Sequence, residues 1–448
     1  MLHQQTNILV IGAGAAGLMA ARDLARAGKS VTIIEARNRL GGRIHTFTSS
    51  EFSAPVELGA EFMHGDVPLT KELLREASIT YQDPGGKNYE VGQGHAQETG
   101  DYMEDLPLLL DTLYTLSDDM PLAAFLTQYF PEDRYQLLRD QATRFAEGYD
   151  AADSQRASVF ALRDEWSGGG AEDSPRPLGG YGGLLQLLAQ QLQAAGGTIE
   201  LGTVVQAVHW QPGHVEVRCD NDRYYQAQQV VLTVPLGVLQ ATEEQPGYVA
   251  FVPELSEKRT AAAAMGFGAI IKVLFEFDEA FWEHSAAELA QPLSDLGFLF
   301  SDAPIPTWWA QLPDPRPLLT GWLGGPTALH LRDTPDEVII EQALESLAYI
   351  FTTTPAYLRA KLRGQRVANW AADPFALGAY TYSTVDTATA RLVLLQPIEQ
   401  TLFFAGEAVY AGPALGTVEA ALQSGKDVAA SIINQQLTPS SSEPQALR

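Results

Sequence analysis

The first 35 residues alternate between apolar and mixed stretches in a strand–helix–strand order. Residues 8–11 are a continuous apolar run, which is typical of a parallel strand buried on both faces. Residues 15–27 are rich in Ala, Leu and Met and are followed by Gly28, which predicts a helix that ends at the glycine. Residues 31–34 predict a second buried strand. The chain therefore begins with a β-loop-α-β unit.

The hydrophobic pattern of the remaining chain predicts further helices and short strands. Helices are predicted over 69–76, 106–116, 122–129, 135–146, 184–195, 336–351 and 417–433, and strands over 204–210, 215–218, 230–234, 270–277 and 402–405. The helices between 69 and 146 have prolines near their boundaries and predict an inserted helical domain. The Ser- and Pro-containing segment 437–448 predicts a disordered tail.

Composition and charge indicate how many domains the chain forms and which kinds of binding partner are excluded. A chain of 448 residues with 46% hydrophobic and 19% charged residues predicts two or three globular domains. Its 29 basic and 55 acidic residues give a net charge of −26, which argues against nucleic acid and membrane as partners. The same acidity favours solubility and the attraction of cationic substrates. Cys219 is the only cysteine, so neither an intramolecular disulfide nor a thiolate metal cluster can form.

The amino-terminal residues show no targeting signal. Residues 1–7 lack a basic cluster, and the apolar run that follows is far shorter than a signal core or the roughly 18 residues of a membrane span. We therefore expect a soluble, cytoplasmic protein. The oligomeric state is left open by the sequence.

A glycine-rich turn separates the first predicted strand from the first predicted helix. Its sequence over 12–17 is G-x-G-x-x-G, in which Gly12 permits the tight turn, Gly14 admits a pyrophosphate and Gly17 lets helix and strand pack closely. The helix N-terminus supplies free N–H groups for the anion. Glu35, at the end of the second strand, is placed to accept hydrogen bonds from a ribose diol. This unit predicts a dinucleotide site but leaves NAD and FAD open.

The segment after Glu35 favours FAD. Residues 36–44 contain the glycine pair Gly41 and Gly42 between arginines, and such a pair can approach the same pyrophosphate. Arg37 and Arg43 are candidates to neutralise its charge.

A lysine interrupts the most apolar of the predicted strands, 270–277. Because side chains alternate across a strand, Lys272 shares its face with Ile270 and Leu274, which predicts an amino group that is at least partly buried. Buried lysines often have reactive roles. The alternative is a lysine that extends from an edge strand to solvent.

The order of motifs resembles the flavin-containing amine oxidases, which include monoamine oxidases, polyamine oxidases and lysine-specific histone demethylases. The resemblance is carried by residues 35–44, 56–65, 271–273, 308–309, 318–322, 370–382, 404–407 and 416–421. These motifs are spread over nearly the whole chain in the order of the family. They are specific for the superfamily and much less so for the substrate.

The resemblance implies an α/β (α+β) fold with two domains. A discontinuous Rossmann-like FAD domain would be formed by 1–68, 175–260 and 385–436. A substrate domain, with a sheet, helices and the helical insertion, would be formed by 69–174 and 261–384.

The resemblance also implies which residues contact the cofactor. Those expected to bind FAD are Gly12, Gly14, Ala15, Ala16, Gly17, Glu35, Ala36, Arg37, Gly42, Arg43, Gly59, Ala60, Glu61, Phe62, Val205, Trp370, Gly406, Glu407, Thr417 and Val418. Val205 would contact the adenine through its backbone. Val418 would present its N–H to the flavin at the start of a helix, where negative charge is stabilised.

The chemistry implied by the resemblance centres on three residues. Lys272 would hold a water molecule at flavin N5, Tyr380 would form an aromatic wall that orients the amine, and Trp370 would lie near the ring. His64 and Thr417 would line the substrate site, together with Tyr380. Glu147 and Asp150 are candidates to bind a cation, although a solvated helix end explains them equally well.

The sequence departs from the monoamine oxidase pattern at two positions. Ala379 stands where those enzymes carry the cysteine that bonds the flavin, so FAD is expected to bind non-covalently. Thr417 stands opposite Tyr380 in place of a second tyrosine, so only half of the aromatic sandwich is expected. The half-built sandwich brings the chain closer to the polyamine oxidase and histone demethylase branch.

The implied reaction is the two-electron oxidation of a small-molecule amine with O2 as acceptor. A hydride would pass from the α-carbon to flavin N5, O2 would be reduced to hydrogen peroxide, and water would hydrolyse the imine to an aldehyde and an amine or ammonia. No metal is expected. Three alternatives stay open: an L-amino-acid oxidase, a flavin desaturase of the protoporphyrinogen or carotenoid type, and a flavin-binding protein without turnover.

Overall fold

A computed structural model describes residues 2–92, 95–99, 103, 105–168, 174–220, 222–283, 292–412 and 414–435. The tail predicted to be disordered, 437–448, lies outside these residues. All structural statements below refer to the described part of the chain.

The described strands number from β1 to β21 in chain order. They are β1 (Leu2–Ile11), β2 (Val31–Ile34), β3 (Thr46–Phe47), β4 (Val56–Glu57), β5 (Tyr81–Gln82), β6 (Lys87–Gly92), β7 (His95–Glu98), β8 (Arg176–Pro177), β9 (Thr198–Glu200), β10 (Val205–Gln211), β11 (His214–Cys219), β12 (Arg223–Leu232), β13 (Ala250–Val252), β14 (Gly266–Phe267), β15 (Ile270–Phe277), β16 (Leu296–Ser301), β17 (Thr307–Trp309), β18 (Leu318–Gly324), β19 (Leu362–Asn369), β20 (Thr381–Tyr382) and β21 (Leu402–Phe404).

The described helices number from α1 to α14. They are α1 (Ala15–Arg26), α2 (Pro68–Glu76), α3 (Leu106–Leu113), α4 (Leu122–Tyr129), α5 (Gln136–Gly148), α6 (Val159–Ser167), α7 (Gly182–Ala194), α8 (Leu236–Gln240), α9 (Ser256–Ala264), α10 (Gly325–His330), α11 (Asp336–Ile350), α12 (Pro355–Lys361), α13 (Thr387–Leu395) and α14 (Val418–Gln435).

The first sheet has eight strands in the order β13-β10-β11-β12-β1-β2-β9, with β21 beside the C-terminal half of β12. Strand β1 is parallel to both β2 and β12, which pair with its two edges. Residues 8–11 are covered on both faces of the sheet as well. Ile8 and Val10 pack with helices α1, α7 and α14, and Leu9 and Ile11 pack against residues of β10 to β12. This alternation explains why 8–11 is apolar at every position.

The second sheet has seven strands in the order β19-β15-β18-β17-β16-β6-β7. Strand β15 lies between antiparallel neighbours and is buried at all eight positions, at the bounds predicted from the sequence. Ile271, Val273 and Phe275 face helices α11 and α12. Lys272 and Leu274 therefore face the opposite side, as the alternation predicts.

The segment predicted to form an inserted helical domain contains more than helices. Helices α3 to α6 do pack into a common core. However, β6 and β7 extend the second sheet, and α6 was not predicted. The prediction of an inserted helical domain was wrong for β6 and β7, because their residues are polar enough to be read as a loop, whereas the pairing of β6 with β16 and of β7 with β6 places them at the edge of the sheet.

Candidate active site

The turn between β1 and α1 forms the first part of the site. Gly12 has a φ of +110°, and a Cβ added to Gly17 would lie 2.0 Å from the carbonyl oxygen of Gly12. Gly14 precedes α1 and carries no side chain that could cap the helix. The N–H groups of the first helical turn are therefore accessible to an anion at the C-terminal edge of parallel strands β1 and β2.

The second glycine pair contacts this turn directly. The N–H of Gly41 donates a hydrogen bond to the carbonyl oxygen of Ala13 at 2.8 Å. Gly41 and Gly42 have φ values of +104° and +58°, and a Cβ added to Gly42 would lie 3.6 Å from the Cα of Gly14. The two glycine loops thus form one continuous cradle, as close approach of backbone to a pyrophosphate requires.

Glu35 and Arg37 lie beside this cradle, and each already has protein partners. The Glu35 carboxylate accepts from the N–H of Ala13 at 2.8 Å and from the N–H of Arg37 at 2.9 Å. The guanidinium of Arg37 pairs with Asp373. Glu35 is placed where an adenosine ribose would lie, whereas the charge of Arg37 is largely neutralised by the protein.

Arg43 and Glu407 connect the N-terminal and C-terminal parts of the chain. Their ion pair measures 2.7 Å, and Arg43 also donates to the carbonyl oxygen of Ala379 at 2.6 Å. Glu407 further accepts from the hydroxyl of Thr381 at 3.2 Å. These contacts join three sequence-distant motifs at one wall of the site.

Helix α14 points its N-terminus at the same wall. Thr417 caps the helix, because its Oγ1 donates to the carbonyl oxygen of Ala414 at 2.7 Å and accepts from the N–H of Ala420 at 3.1 Å. A Cβ added to Gly416 would lie 3.6 Å from the Cβ of Tyr380. The residue packed against Tyr380 is therefore Gly416, while the hydroxyl of Thr417 serves the helix.

Lys272 is held by a buried ion pair. Its side chain is 1% exposed, and its Nζ donates to Glu61 at 2.6 Å and to the carbonyl oxygen of Gly59 at 3.4 Å. Glu61 also accepts from Arg176 at 3.2 Å and from the indole of Trp309 at 3.1 Å. Although burial raises the pKa of Glu61, Lys272 and Arg176 outweigh it and hold that pKa below its usual range.

Two aromatic side chains are fixed at the wall of the site. The Tyr380 hydroxyl donates to the carbonyl oxygen of Tyr149 at 2.6 Å, and the Trp370 indole donates to the carbonyl oxygen of Leu58 at 2.9 Å. Because the polar atom of each ring is satisfied by backbone, both rings are held in one orientation.

The imidazole of His64 lies in the site and contacts two hydroxyl groups. Its Nδ1 is 3.0 Å from the hydroxyl of Ser174 and 3.1 Å from that of Tyr149. Burial lowers the pKa of His64 to about 4, so the imidazole is neutral at pH 7. It can exchange hydrogen bonds but does not carry a charge there.

The carboxyl groups of Asp150 and Glu165 also line the site, and Asp150 directly follows Tyr149 in the chain. Asp150 is 8% exposed, and its Oδ2 has no hydrogen-bond partner among the described residues. Burial first, and then the neighbouring Glu165, raise the pKa of Asp150 well above its usual range. Glu165 is exposed at the cavity wall, but the surrounding protein still desolvates its carboxyl group and raises its pKa. This pair favours a proton, or another positive charge, between its members.

One cavity of about 1290 Å³ connects these features. Ligand pockets usually have volumes of about 300–1,000 Å³, so this one has room for a dinucleotide together with a second molecule. All of the residues that the sequence suggested line it except Gly17, which instead allows α1 to pack against β1. Phe62 and Val205 contribute apolar wall, and Glu147, which accepts a hydrogen bond from Ser154, contributes a carboxylate.

Sequence reasoning missed several residues of the site. Arg176 and Trp309 hold Glu61, and Glu165 partners Asp150, yet none of them lies in a motif with a recognisable charge pattern. Trp309 belongs to a Trp-Trp pair in the family-like motifs, which is the one signal that was available. Arg39, within the second glycine motif, donates to the carbonyl oxygens of Gly42 and Ile44 and shapes this loop.

No group of three or more His, Cys, Asp and Glu side chains among the described residues is arranged to hold a metal ion. None of the helices described above combines the length and apolar composition that a membrane-crossing helix requires.

Comparison with known proteins identifies relatives over most of the chain. The family model described as flavin containing amine oxidoreductase matches residues 15–433. The chain is 29% identical to polyamine oxidase 4 of Oryza sativa subsp. japonica, covering 94% of this chain and 87% of that protein. It is 26% identical to lysine-specific histone demethylase 2 of Homo sapiens, covering 91% of this chain and 51% of that protein.

Solved structures share the fold. Wild-type putrescine oxidase bound to putrescine matches with a TM-score of 0.76 and 20% identity, covering 97% of this chain and 100% of that chain. Cyclohexylamine oxidase from Brevibacterium oxydans IH-35A matches with a TM-score of 0.76 and 19% identity, at the same coverage. The structural likeness confirms the predicted two-domain fold, and the family match covers most of the sequence. The chain therefore belongs to the family of flavin-containing amine oxidoreductases.

Proposed function

We propose that the protein is an oxidase that uses non-covalently bound FAD to oxidise small-molecule amines, with O2 as electron acceptor and hydrogen peroxide as product. The observation that carries the proposal is the single cavity that joins the glycine cradle to the Lys272, Trp370 and Tyr380 wall. A cofactor seated in the cradle would extend toward these side chains.

The residues present fit FAD. Gly14 and Gly42 would admit the pyrophosphate, and Glu35 would accept hydrogen bonds from the ribose. At the other end, the N-terminus of α14 at Val418 would face the part of the cofactor that gains negative charge on reduction. Both Glu35, near the start of the chain, and Val418, near its end, line this one cavity, which suits a long dinucleotide.

Non-covalent binding is supported by the residues of the wall. Ala379 has no nucleophilic atom, and its carbonyl oxygen is engaged by Arg43. Cys219 is buried in the first sheet and is not among the residues that line the cavity. A thioether to the cofactor therefore has no donor in the described part of the site.

The protein side chains would position the amine and exclude water. When bound, FAD supplies the two-electron acceptor for the hydride from the amine α-carbon. Tyr380 and Trp370 present rigid aromatic faces to a neutral amine, and neutral His64 can exchange hydrogen bonds with it. Lys272 places a positive charge at the wall where negative charge would develop. These roles require orientation and electrostatics, with no metal ion.

The substrate class follows from the acidic pair. Asp150 has an unsatisfied buried oxygen beside Glu165, and the ammonium group of a bound diamine or polyamine would replace the proton that the pair retains. We therefore expect amines with a second positive charge to be better substrates than simple monoamines. The polyamine and putrescine oxidases among the similar proteins support this order.

The deciding experiment is spectroscopic. Purified protein should be yellow, should release FAD on denaturation in acid, and should bleach anaerobically when putrescine or spermidine is added. Admission of O2 should restore the colour and yield one peroxide per amine oxidised. Amino acids belong in the same screen, because Arg391 lines the cavity and its Nε has no partner among the described residues. Bleaching by amino acids alone would instead identify an L-amino-acid oxidase.

A further inference from the structure

The amino group of Lys272 contacts residues of one polar cluster. It donates to Glu61 at 2.6 Å and to the Gly59 carbonyl oxygen at 3.4 Å, and it lies 5.5 Å from the centre of the Trp309 ring. Gly59 and Glu61 belong to the same stretch of backbone along the cavity. The position of Nζ is therefore set by that stretch as well as by strand β15.

Glu61 is in turn held by further partners through its second carboxylate oxygen. One oxygen accepts from Lys272, and the other accepts from both Arg176 and Trp309. Arg176 is 7% exposed, donates to the side-chain oxygen of Gln311 at 2.7 Å and lies 5.1 Å from the centre of the Phe62 ring. Both Glu61 oxygens are thus engaged by protein, which leaves this carboxylate poorly suited to bind a substrate or the cofactor directly.

The cluster has an electrostatic consequence. Lys272, Arg176 and Glu61 together carry one positive charge in a buried place, and the neighbouring carboxyl group of Glu57 offsets part of this charge only as the pH rises toward its pKa of about 7. A buried cation without a partner would be strongly disfavoured. Glu61 makes burial of the lysine tolerable, and Arg176 keeps the sum positive. A lysine with no counter-charge at this position would tend to lose its proton and act as a neutral amine.

We propose that Glu61 is a positioning residue for Lys272, held in place by Arg176 and Trp309, and that this arrangement presents Lys272 to the cofactor as a fixed cation. The inference rests on the proposed function, because it concerns the same wall of the same cavity. It assigns to Glu61 a role through Lys272, in place of the direct contact with FAD that the family resemblance suggested.

The test is a double-mutant cycle on the FAD-loaded protein. Glu61→Gln should slow flavin reduction or reoxidation by about 10- to 100-fold with little change in KM, as expected for misplaced catalytic groups. In a Lys272→Met background, Glu61→Gln should have almost no additional effect, because the residue through which it acts is absent. Glu61→Asp should recover part of the loss.

A second readout is independent of turnover. The midpoint potential of the bound flavin, measured by reductive titration, should fall in Lys272→Met, because a positive charge is removed. Glu61→Gln should change the potential of the wild type but not that of the Lys272→Met variant, because Glu61 acts through Lys272. Glu276→Gln is the matched control: Glu276 is also buried on β15, but it accepts from the N–H of Ser53 outside the cavity. The flavin of the Glu276→Gln variant should have the midpoint potential of the wild type. Glu61→Asp, which keeps the carboxylate but shortens its reach to Lys272, can replace Glu61→Gln if that variant does not fold, and its effect on the potential should likewise disappear in the Lys272→Met background.

The outcomes separate this inference from the proposed function. Additive effects of Glu61→Gln and Lys272→Met on rate and potential would overturn the positioning role even if amines are oxidised. A wild-type protein that binds FAD but is bleached by no amine would overturn the proposed function, while the potentials would still decide the role of Glu61.

Discussion

Replacing Glu57 by Gln should make the stability of the protein less dependent on pH. Glu57 ends strand β4 behind the Lys272 cluster. One of its oxygens accepts from the hydroxyl of Thr46 at 2.5 Å and from the N–H of Tyr181 at 2.8 Å. The other, Oε2, is buried and has no hydrogen-bond partner among the described residues. Glu57, Glu61 and Arg176 share a small cavity of about 80 Å³.

The magnitude follows from the pKa of this carboxyl group. Burial raises the pKa of Glu57 from 4.5 to about 7, against the opposing effects of Thr46, Lys272 and the Tyr181 N–H. The folded state therefore binds the proton more tightly than the unfolded state. The contribution of Glu57 to the free energy of unfolding is greatest below about pH 4.5 and is lost as the pH rises to about 7, in total by about 3 kcal/mol. Between pH 5.5 and 8, the loss is about 2 kcal/mol.

The assay is thermal unfolding of wild type and Glu57→Gln, with and without FAD, from pH 5.5 to 8. For cooperative unfolding of the whole chain, about 2 kcal/mol corresponds to about 2 °C in the melting temperature, and to more if a smaller unit unfolds. The variant should gain this amount relative to wild type as the pH rises. Exposed Glu51→Gln, nearby in sequence, should show no such gain. A difference between Glu57→Gln and wild type that stays constant over this range would refute the reasoning.

Three further predictions concern the site and its support. Lys272→Met should retain FAD but slow flavin reduction or reoxidation in stopped-flow measurements, and unchanged kinetics would remove Lys272 from the catalytic wall. Asp150→Asn should lower kcat/KM about 10-fold or more for a diamine, since a buried charged hydrogen bond contributes about 1.5–3 kcal/mol, and should leave a monoamine of equal length nearly unaffected. Exposed Asp140→Asn is its control, and equal losses on both substrates would contradict the assignment. Glu419→Gln should lower the melting temperature by about 1–2 °C, because the Glu419 carboxylate accepts from Leu69 and Thr70 and caps α2, a contribution of about 1–2 kcal/mol; an unchanged melting temperature would refute this role.

The parts of the fold that could be predicted are those that depend on local pattern. Strand β15 has its predicted bounds because 270–277 is an apolar run, rich in β-branched and aromatic residues and interrupted only by Lys272 and Glu276, and the structure buries all eight positions. The turn at 12–17 was recognisable because glycines at these spacings are needed for close backbone contact. By contrast, β6 and β7 have no apolar alternation strong enough to indicate strands, and only the pairing of β6 with β16 and of β7 with β6 makes them part of the sheet.

The candidate site was predictable as a set of positions but not as a set of contacts. The sequence placed Lys272 on a buried face, yet its counter-ion Glu61 lies 211 residues away along the chain. The sequence likewise marked Arg37 and Arg43 as partners of a pyrophosphate, whereas the fold pairs them with Asp373 and Glu407. Such pairings depend on which chain segments meet, and periodicity carries no information about that.

The amino-acid sequence by itself determined the β-loop-α-β start, the glycine cradle, the buried lysine strand and the resemblance to a family, because each depends on neighbouring residues or on a short motif. Only the tertiary structure decided that Glu61 neutralises Lys272, that Gly416 faces Tyr380 and that Asp150 has an unsatisfied oxygen in the cavity. These features arise where different chain segments converge, and burial there makes an unpaired charge costly.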